Sequence, residues 1–223
     1  MIFAVIPGYN EENTIGDIVR RAKKYVDVVV YVDDGSEDRS AGIARRNGAK
    51  VIRFRRNMGK GWALRAGFSF ALRNGADVIV ALDSDGQHNP EEIPRFVEAL
   101  KGYDMIIGSR YAGRFYTFPR NVIGNFGLNF ITNFFSYGPQ GLLRHQWLGD
   151  TQSGFRAFKA DALRKMKLTG KRYEIEGEMV YEAAVNNLKV KEISLRVPIR
   201  VKGVTIKDGV RNAIFMFKKR FRL

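Results

Sequence analysis

Residues 78–88 read VIVALDSDGQH, an apolar run followed at once by two aspartates that stand two positions apart. The run VIVAL is typical of a buried strand in a parallel sheet. Along an extended strand, residues i and i+2 point to the same side, so Asp83 and Asp85 are predicted to face one spot. Two carboxylates held that close repel each other unless a cation neutralises them. The stretch therefore predicts a metal-binding loop at the end of a core strand.

Composition limits the metals and partners that fit such a loop. The chain has 223 residues, of which 45% are hydrophobic, so it can form one large domain with its own core. It has no cysteine and two histidines, which excludes thiolate and multi-histidine sites and leaves Mg²⁺ or Mn²⁺ held by oxygen. The formal net charge of +15 indicates an anionic partner or, alternatively, a charge-rich surface that only confers solubility.

Strand-like and helix-like segments alternate through the first half of the chain. Apolar runs begin at Ile2, Val28, Lys50, Val78 and Met105, and segments with helical periodicity separate them. This alternation predicts an α/β fold with a mostly parallel sheet covered by helices on both faces. Ligands of such folds bind at the carboxyl ends of the strands. The polar loops PGYNEEN, DDGSEDRS, DSDGQH and SRYAGR follow four of these strands and predict a nucleotide-sized cleft there.

Two later segments have an amphipathic pattern. Residues 121–143 carry no charge, and asparagines recur every four residues opposite a broad apolar face that contains Phe126, Phe130 and Phe134. We expect amphipathic helices over about 115–145, either at a membrane interface or in a core or dimer contact. The tail 208–223 ends in AIFMFKKRFRL, which predicts a basic helix on an anionic membrane surface. No run of about 20 strongly apolar residues predicts a spanning helix.

Seven segments together resemble a known family. They are IPGYNEENTI, VDDGSEDRS, NMGKGWALRAGFSFA, ALDSDGQH, IIGSRY, DTQSGFRAF and YEIEGEMV, in this order. The set resembles family-2 glycosyltransferases of the GT-A fold, and within them dolichol-phosphate mannose synthases and related polyprenyl-phosphate glycosyltransferases. The resemblance implies a GT-A domain over 1–207, with a mixed, mostly parallel sheet, and the basic tail 208–223 after it.

The resemblance also implies a binding site for a nucleotide diphosphate sugar. The metal that bridges the donor diphosphate would be held by Asp83, Asp85 and Gln87. In the first nucleotide loop, Pro7, Tyr9 and Glu11 would occupy the base-stacking and ribose-binding positions. In the second loop, Asp33 and Asp34 would bind the base. In an alternative interpretation, one of these two aspartates only braces its loop. Further donor contacts would come from Lys60, Ser84 and Arg110, and from the basic segment with Arg200 and Lys207, where Lys202 is an alternative to Lys207.

Catalytic roles implied by the resemblance fall to Asp85, Arg110 and Arg120. Arg110 would lie near the reacting phosphates and Arg120 would hold the acceptor phosphate, because a guanidinium grips phosphate oxygens in pairs. Gly124 replaces a hydroxyl residue that the family often has one turn after Arg120. The resemblance assigns the sugar and acceptor pocket to the region of Asp150, Gln152 and Ser153. With a hydroxyl acceptor, Asp150, Glu174, Glu176 or Glu178 would be the candidate general base.

The predicted activity is inverting, metal-dependent transfer of a hexose to dolichyl or polyprenyl phosphate. We expect mannose from GDP-mannose, with glucose from UDP-glucose or a sugar-hydroxyl acceptor as alternatives. The enzyme is expected to be peripheral at the cytoplasmic face of the cell membrane, with a membrane-protein partner as a further candidate. A nucleic-acid-binding module would interleave aromatic and basic residues on an open sheet face. The aromatics instead concentrate in 115–137, so no nucleic-acid partner is expected.

Overall fold

A computed structural model describes residues 1–110, 119–143, 146–195 and 206–221, with the backbone alone for 119–125, 206–208 and 210. In this part of the chain seven strands and eight α-helices are present. The strands are β1 Ile2–Gly8, β2 Val28–Asp33, β3 Lys50–Arg53, β4 Val78–Ala81, β5 Met105–Ser109, β6 Arg156–Lys159 and β7 Val190–Ser194. The helices are α1 Ile15–Ala22, α2 Ser40–Arg46, α3 Lys60–Arg73, α4 Ile93–Ala99, α5 Pro119–Leu143, α6 Ala160–Lys165, α7 Glu174–Val185 and α8 Ile206–Phe221.

The described strands form one mixed sheet in the order β3-β2-β1-β4-β6-β5-β7. All neighbours are parallel except β6, which runs antiparallel between β4 and β5. Because β6 is antiparallel, it begins at the edge where β4 and β5 end. The loop before β6 therefore joins the loops that follow β1, β2 and β4. The predicted α/β architecture with a mostly parallel sheet is confirmed.

Helices cover both faces of the sheet, as the apolar runs of its strands require. In β1, Phe3 and Val5 pack on one side, and Ala4 and Ile6 pack on the other. The first side is covered by α3, α6 and α7, and the second by α1, α2 and α4. Such alternation along a strand that is buried on both faces explains why β1, β2 and β4 read as continuous apolar runs.

Strand β4 ends earlier than the sequence pattern predicts. Its last residue is Ala81, so Asp83 and Asp85 lie in the following loop and not on an extended strand. The strand argument for their shared direction was therefore wrong in detail. The two carboxylates nevertheless line the same cavity. The loop then turns at Gly86, whose φ of 78° is in the left-handed region that glycine adopts readily.

The long helix α5 has a kink and different inner and outer faces. Its backbone is interrupted at Gly138 (φ 65°, ψ −178°), directly before Pro139. Asn133 is buried and bonds to Leu148, whereas Phe126 and Phe130 are exposed. The polar stripe thus faces the protein and the aromatic stripe faces outward. Within the described part of the chain, no helix has the combination of length and hydropathy that a bilayer crossing requires.

The close packing of α3 on the sheet generates a test of the fold. A Cβ at Gly67 would overlap Cγ1 of Val5 and lie 3.1 Å from Cγ2 of Val32. We therefore expect Gly67→Ala to lower the free energy of unfolding by about 1–3 kcal/mol, although alanine favours helix formation over glycine. Urea denaturation measures the effect, and Ser69→Ala on the exposed side of α3 is the control. An unchanged stability of Gly67→Ala would show that α3 shifts freely on the sheet.

Candidate active site

A cavity of about 280 Å³ opens at the edge where the parallel strands end. Its walls come from the loops after β1, β2 and β4, from the start of α3 and from the segment before α7. The lining residues are Pro7, Gly8, Tyr9, Glu11, Asp34, Asn57, Gly59, Lys60, Ala63, Asp83, Ser84, Asp85, Arg172 and Tyr173. Eight of the predicted donor-binding residues are therefore brought together by the fold.

The loop after β1 is tied to its neighbours by hydroxyl groups. Glu11 N–H donates to Oγ of Ser40 on α2 (2.7 Å), and Oγ1 of Thr14 donates to the carbonyl of Ser84 (2.6 Å). These bonds fix the position of Glu11 relative to the aspartate loop. Burial raises the pKa of Glu11, and the nearby charge of Asp85 adds to the effect against the opposing bond from Thr14. Tyr9 is exposed at the rim, where its ring is accessible for stacking.

The two aspartates after β2 have different positions. Asp34 lines the cavity and accepts the N–H groups of Met58 (2.7 Å) and Gly59 (2.8 Å), so it anchors the start of α3. Burial raises the pKa of Asp34, which these backbone bonds partly offset. Asp33 is fully buried, lies 3.0 Å from Nε of Arg53 and does not line the cavity. Oδ1 of Asp33 also accepts the N–H of Ser36 (3.0 Å) within its own loop, and the predicted role of this pair in binding the base remains a prediction.

Lys60 joins three elements at the centre of the site. Its Nζ lies 2.6 Å from Oδ1 of Asp83 and 2.7 Å from Oε1 of Glu176 at the start of α7. Burial alone would lower the pKa of Lys60, but the carboxylates of Asp83 and Glu176 outweigh burial and raise it. Gly154 leaves room for Asp83, since a Cβ at that position would lie 2.5 Å from Oδ2 of Asp83. The lysine therefore remains charged and fixes the direction of the Asp83 carboxylate.

The rest of the DSDGQH loop is shaped by local bonds. Nδ1 of His88 accepts the N–H of Asp83 (3.0 Å), and burial lowers the pKa of His88, so the ring is neutral and structural. Oδ1 of Asp85 accepts the N–H of Gln87 (3.1 Å). Gln87 is not among the residues that line the cavity, so its predicted metal-ligand role remains a prediction.

The donor set fits a hard divalent cation. Asp83 and Asp85 supply carboxylate oxygens at the cavity wall, which is the ligand type that Mg²⁺ and Mn²⁺ prefer. In the described ranges, no three Asp, Glu, His or Cys side chains converge on one point. Mg²⁺ commonly uses only one or two protein carboxylates together with phosphate oxygens and water. Two aspartates that face a cavity therefore suffice for a metal that binds together with a diphosphate.

A second ion pair borders the site beyond β5. Asp150 is fully buried and accepts three bonds from Arg110: from its backbone N–H (3.0 Å), from Nε (2.7 Å) and from Nη2 (2.6 Å). Glu192 on β7 accepts the N–H of Asp150 (2.7 Å), and burial raises the pKa of Glu192. Asn129 on α5 binds Thr151 and Gly149 of the same loop. Arg110 is thus positioned by Asp150 and does not line the cavity.

Arg156 on β6 is a structural residue that the sequence analysis did not single out. It is fully buried in the middle of the sheet and donates to the carbonyls of Thr151 (2.7 Å), Ser153 (2.9 Å) and Glu176 (2.8 Å). Burial lowers its pKa to about 10, so the group stays protonated at neutral pH. Its signal in the sequence was a basic residue inside the apolar run FRAF. Arg156 joins the loop before β6 to α7 and so positions Glu176.

The segment 167–173, which sequence reasoning missed, ends in two residues that line the cavity, Arg172 and Tyr173. Three glutamates spaced four apart on α7, the glutamate ladder, accept backbone N–H groups from this segment at 2.8–3.0 Å. The bonds run from Lys167 to Glu182, from Thr169 and Gly170 to Glu178, and from Lys171 and Arg172 to Glu174. Arg172 and Tyr173 then line the cavity. Two of the candidate bases, Glu174 and Glu178, therefore anchor backbone.

The remaining predicted residues have no described side chains. Arg200 lies outside the described residues, as does the alternative Lys202. Arg120 and Lys207 lie in α5 and α8, where only their backbone is described. Gln152 and Ser153 lie in the loop before β6, and Ser153 is buried there. Their predicted roles remain predictions.

Comparisons with known proteins place this site in context. The family model described as "Glycosyl transferase family 2" matches residues 3–167. A UDP-N-acetylglucosamine–dolichyl-phosphate N-acetylglucosaminyltransferase of Methanococcus voltae is 32% identical, over 88% of this chain and 85% of that protein. A polyprenol monophosphomannose synthase of Mycolicibacterium smegmatis is also 32% identical, over 95% of this chain and 83% of that protein.

A solved structure shows the same fold. Glucosyl-3-phosphoglycerate synthase of Mycobacterium tuberculosis superposes with a TM-score of 0.74 at 21% identity, over 99% of this chain and 80% of that chain. That protein has also been solved with Mn²⁺, UDP and glucosyl-3-phosphoglycerate. Structural neighbours of this kind have the GT-A fold, so the fold predicted from the sequence motifs is confirmed.

The environment of Glu11 predicts a pH-dependent stability. Its pKa is raised above 4.5 in the folded state, so the ionised carboxylate destabilises the fold above that raised pKa. Below pH 4.5 the group is protonated in both states and the penalty disappears. We therefore expect Glu11→Gln to raise the melting temperature at neutral pH and to leave it unchanged in acid. Glu98→Gln on the exposed face of α4 is the control. A lower melting temperature of Glu11→Gln at neutral pH would contradict this account.

Proposed function

The chain belongs to glycosyltransferase family 2, and from this membership we propose that it is an inverting, metal-dependent hexosyltransferase with a polyprenyl phosphate acceptor. The acceptor phosphate attacks the anomeric carbon of a nucleotide diphosphate sugar from the side opposite the leaving diphosphate, in one displacement. The observation that carries the proposal is the cavity at the sheet edge, where Asp83, Asp85, Lys60 and Tyr9 converge.

The donor side of the proposal rests on the chemistry of the cavity wall. Tyr9 offers a ring for a base, and Glu11 offers a carboxylate for ribose hydroxyls. Asp83 and Asp85 would hold Mg²⁺ or Mn²⁺, which neutralises the charge that grows on the leaving diphosphate. Lys60 fixes the Asp83 carboxylate through a 2.6 Å ion pair before any ligand arrives. Such preorganisation lowers the reorganisation needed when the donor binds.

A phosphate acceptor is favoured over a sugar hydroxyl by the state of the candidate bases. Arg110 donates three bonds to Asp150, Lys60 pairs with Oε1 of Glu176, and backbone N–H groups donate to Oε1 of Glu174. A hydroxyl acceptor needs a carboxylate that takes its proton, whereas a phosphate is already anionic at neutral pH. The two relatives described above are named for dolichyl phosphate and polyprenol acceptors. We propose that Arg110 and Arg120 hold the acceptor phosphate.

The proposal extends to the sugar and the nucleotide of the donor. We propose mannose from GDP-mannose, which the polyprenol monophosphomannose synthase similar to this chain supports. The relative from Methanococcus voltae is named for a UDP-sugar, so a UDP-linked hexose is the second candidate. Tyr9 lines the cavity and offers a ring that stacks on either base, so we keep both nucleotides as candidates.

We propose that the protein works as a peripheral enzyme at the cytoplasmic membrane face. Phe126, Phe130 and Phe134 are exposed along α5, and Phe217 and Phe221 are exposed along α8. The two rows meet where Phe135 contacts Phe217, with ring centroids 6.2 Å apart. A soluble protein rarely leaves so many aromatic rings in water, and together with the net charge of +15 this surface suits an anionic bilayer. We call these five exposed phenylalanines the aromatic patch.

Nucleotide binding tests the donor site. We expect calorimetry to detect GDP or UDP in the presence of Mn²⁺ and to detect much weaker binding without it. Asp85→Asn should lower the metal-dependent affinity by at least about tenfold, or 1.4 kcal/mol, because it removes one anionic metal ligand. Asp161→Asn, at an exposed aspartate of α6, is the charge-matched control. Unchanged affinity of Asp85→Asn would refute the metal assignment.

Vesicle binding tests the aromatic patch. Inserting a phenylalanine side chain into lipid is worth about 1.5–3 kcal/mol, so Phe126→Ala with Phe130→Ala should weaken partition to anionic vesicles by tenfold or more. Vesicle flotation measures this partition, and Val185→Ala, at an exposed residue of α7, is the control. Unchanged partition, combined with loss of a dimer on sedimentation, would instead favour a contact between two copies of the chain.

A further inference from the structure

Lys219 on α8 carries a charge into the interior of the protein. Its Nζ donates to Oε1 of the fully buried Glu178, lies 2.9 Å from Oε1 of Glu182 and donates to the carbonyl of Lys167 (2.7 Å). Glu178 and Glu182 are two of the three carboxylates of the glutamate ladder. Helix α8 therefore contacts directly the glutamates of α7 that anchor residues 167–173.

The glutamate ladder needs this cation. Carboxylates one helical turn apart repel each other, and a buried carboxylate without a partner strongly destabilises a fold. Five backbone N–H groups reduce the cost for the ladder but carry no net charge. Lys219 lies between the two carboxylates nearest to it, offsets one of their two negative charges, and also binds the carbonyl of Lys167. Its removal would leave Glu178 and Glu182 buried close together, so their bonds to residues 167–170 should weaken.

Helix α8 exposes phenylalanines on its outer side and buries a lysine on its inner side. Asn212 and Met216 are buried on the same side as Lys219, whereas Phe217 and Phe221 are exposed on the other side. A water-facing helix buries its apolar face and exposes its charges. The inner face of α8 is thus anchored by polar contacts, and the outer face belongs to the aromatic patch. A shift of α8 at a lipid surface would therefore move Lys219 and change its contacts with the glutamate ladder.

The ladder in turn determines one wall of the donor cavity. Arg172 and Tyr173 line that cavity directly after the anchored segment. The segment also packs tightly on α3, since a Cβ at Gly61 would overlap the carbonyl oxygen of Gly170, and the Trp62 N–H donates to the carbonyl of Lys171 (3.3 Å). A displacement of residues 167–171 would therefore move both the cavity wall and the start of α3.

From this chain of contacts we propose that Lys219 is a positioning residue that couples the docking of α8 on a lipid surface to the shape of the donor cavity. The inference rests on the proposed function in one respect, namely that the cavity binds a nucleotide diphosphate. The route runs from the aromatic patch through Lys219 and the glutamate ladder to Arg172 and Tyr173. A protein away from the membrane would hold the donor more weakly than one whose α8 is seated.

The test compares Lys219→Met with Lys218→Met, which removes the same charge from the neighbouring, exposed position. Without lipid, we expect Lys219→Met to bind Mn²⁺-UDP or Mn²⁺-GDP roughly tenfold more weakly than the wild type, within the usual range of coupling between sites. Amide hydrogen exchange at residues 167–172 should be faster in Lys219→Met. Lys218→Met should match the wild type in both measurements. Equal behaviour of the two variants would overturn the proposal.

A second experiment measures nucleotide binding in the presence of anionic vesicles of phosphatidylglycerol and phosphatidylcholine. Saturating vesicles should tighten nucleotide binding severalfold in the wild type and in Lys218→Met, but not in Lys219→Met, even though all three bind the vesicles. Equal tightening in Lys219→Met would show that α8 is not the coupling route. If the wild type binds neither nucleotide, the proposed function fails, whereas the exchange rates of residues 167–172 still decide the role of Lys219.

A charge-matched double variant separates coupling from general loss of stability. Lys219→Met with Glu182→Gln removes one positive and one negative charge, so the net charge of the cluster returns to its original value. We expect this double variant to recover part of the nucleotide affinity and of the exchange protection that Lys219→Met loses. No recovery in either readout would mean that Lys219 only contributes packing, and the proposal would be wrong. If Lys219→Met does not fold, Lys219→Arg replaces it, with a smaller loss expected because the planar head group keeps the charge.

Discussion

The ion pair between Lys60 and the two carboxylates of Asp83 and Glu176 is the interaction on which the rest of the site depends. A sheet edge that presents acidic loops for a metal and a nucleotide collects negative charge where the strands end. Burial makes such charge expensive unless a cation compensates it at close range. Lys60 lies at 2.6 and 2.7 Å from these carboxylates and so joins the aspartate loop, α3 and α7. The loop that carries Asp83 and Asp85 is therefore oriented by contacts within the protein.

Other charged groups around the site are also bonded to buried partners. Arg110 satisfies the buried Asp150, Lys219 satisfies Glu178, and Arg156 satisfies three carbonyls in the middle of the sheet. In each case the charged group also anchors backbone, because its remaining hydrogen-bonding capacity is used by N–H or C=O groups of a loop. A preorganised site of this kind suits a reaction whose main demand is the stabilisation of charge on a leaving diphosphate.

The orientation of α5 and α8 follows from what lies on each side of them. On the protein side, Asn129 and Asn133 bind the backbone of the loop before β6, and this fixes Asp150. On the outer side, phenylalanines remain exposed. The asparagine stripe that the sequence showed is therefore not the water-facing side of a surface helix. It is an internal anchor, and the apolar stripe is the free surface.

The sequence alone determined the layered α/β architecture, the strand-end position of the polar loops and eight of the residues that line the cavity. Apolar runs and helical periodicity are local signals, and the rule that ligands bind at strand ends converts them into a site. The tertiary structure decided which of the acids line the cavity and which are bonded within the protein. Asp33 and Asp34 are adjacent and chemically equal, yet only Asp34 reaches the cavity. It also decided that β6 runs antiparallel, that Arg156 binds the backbone carbonyl of Glu176, and that Lys219 pairs with Glu178 and Glu182. Pairings across tens of residues leave no periodic trace in a single sequence, because the energy of a buried charge depends on partners that only folding brings close.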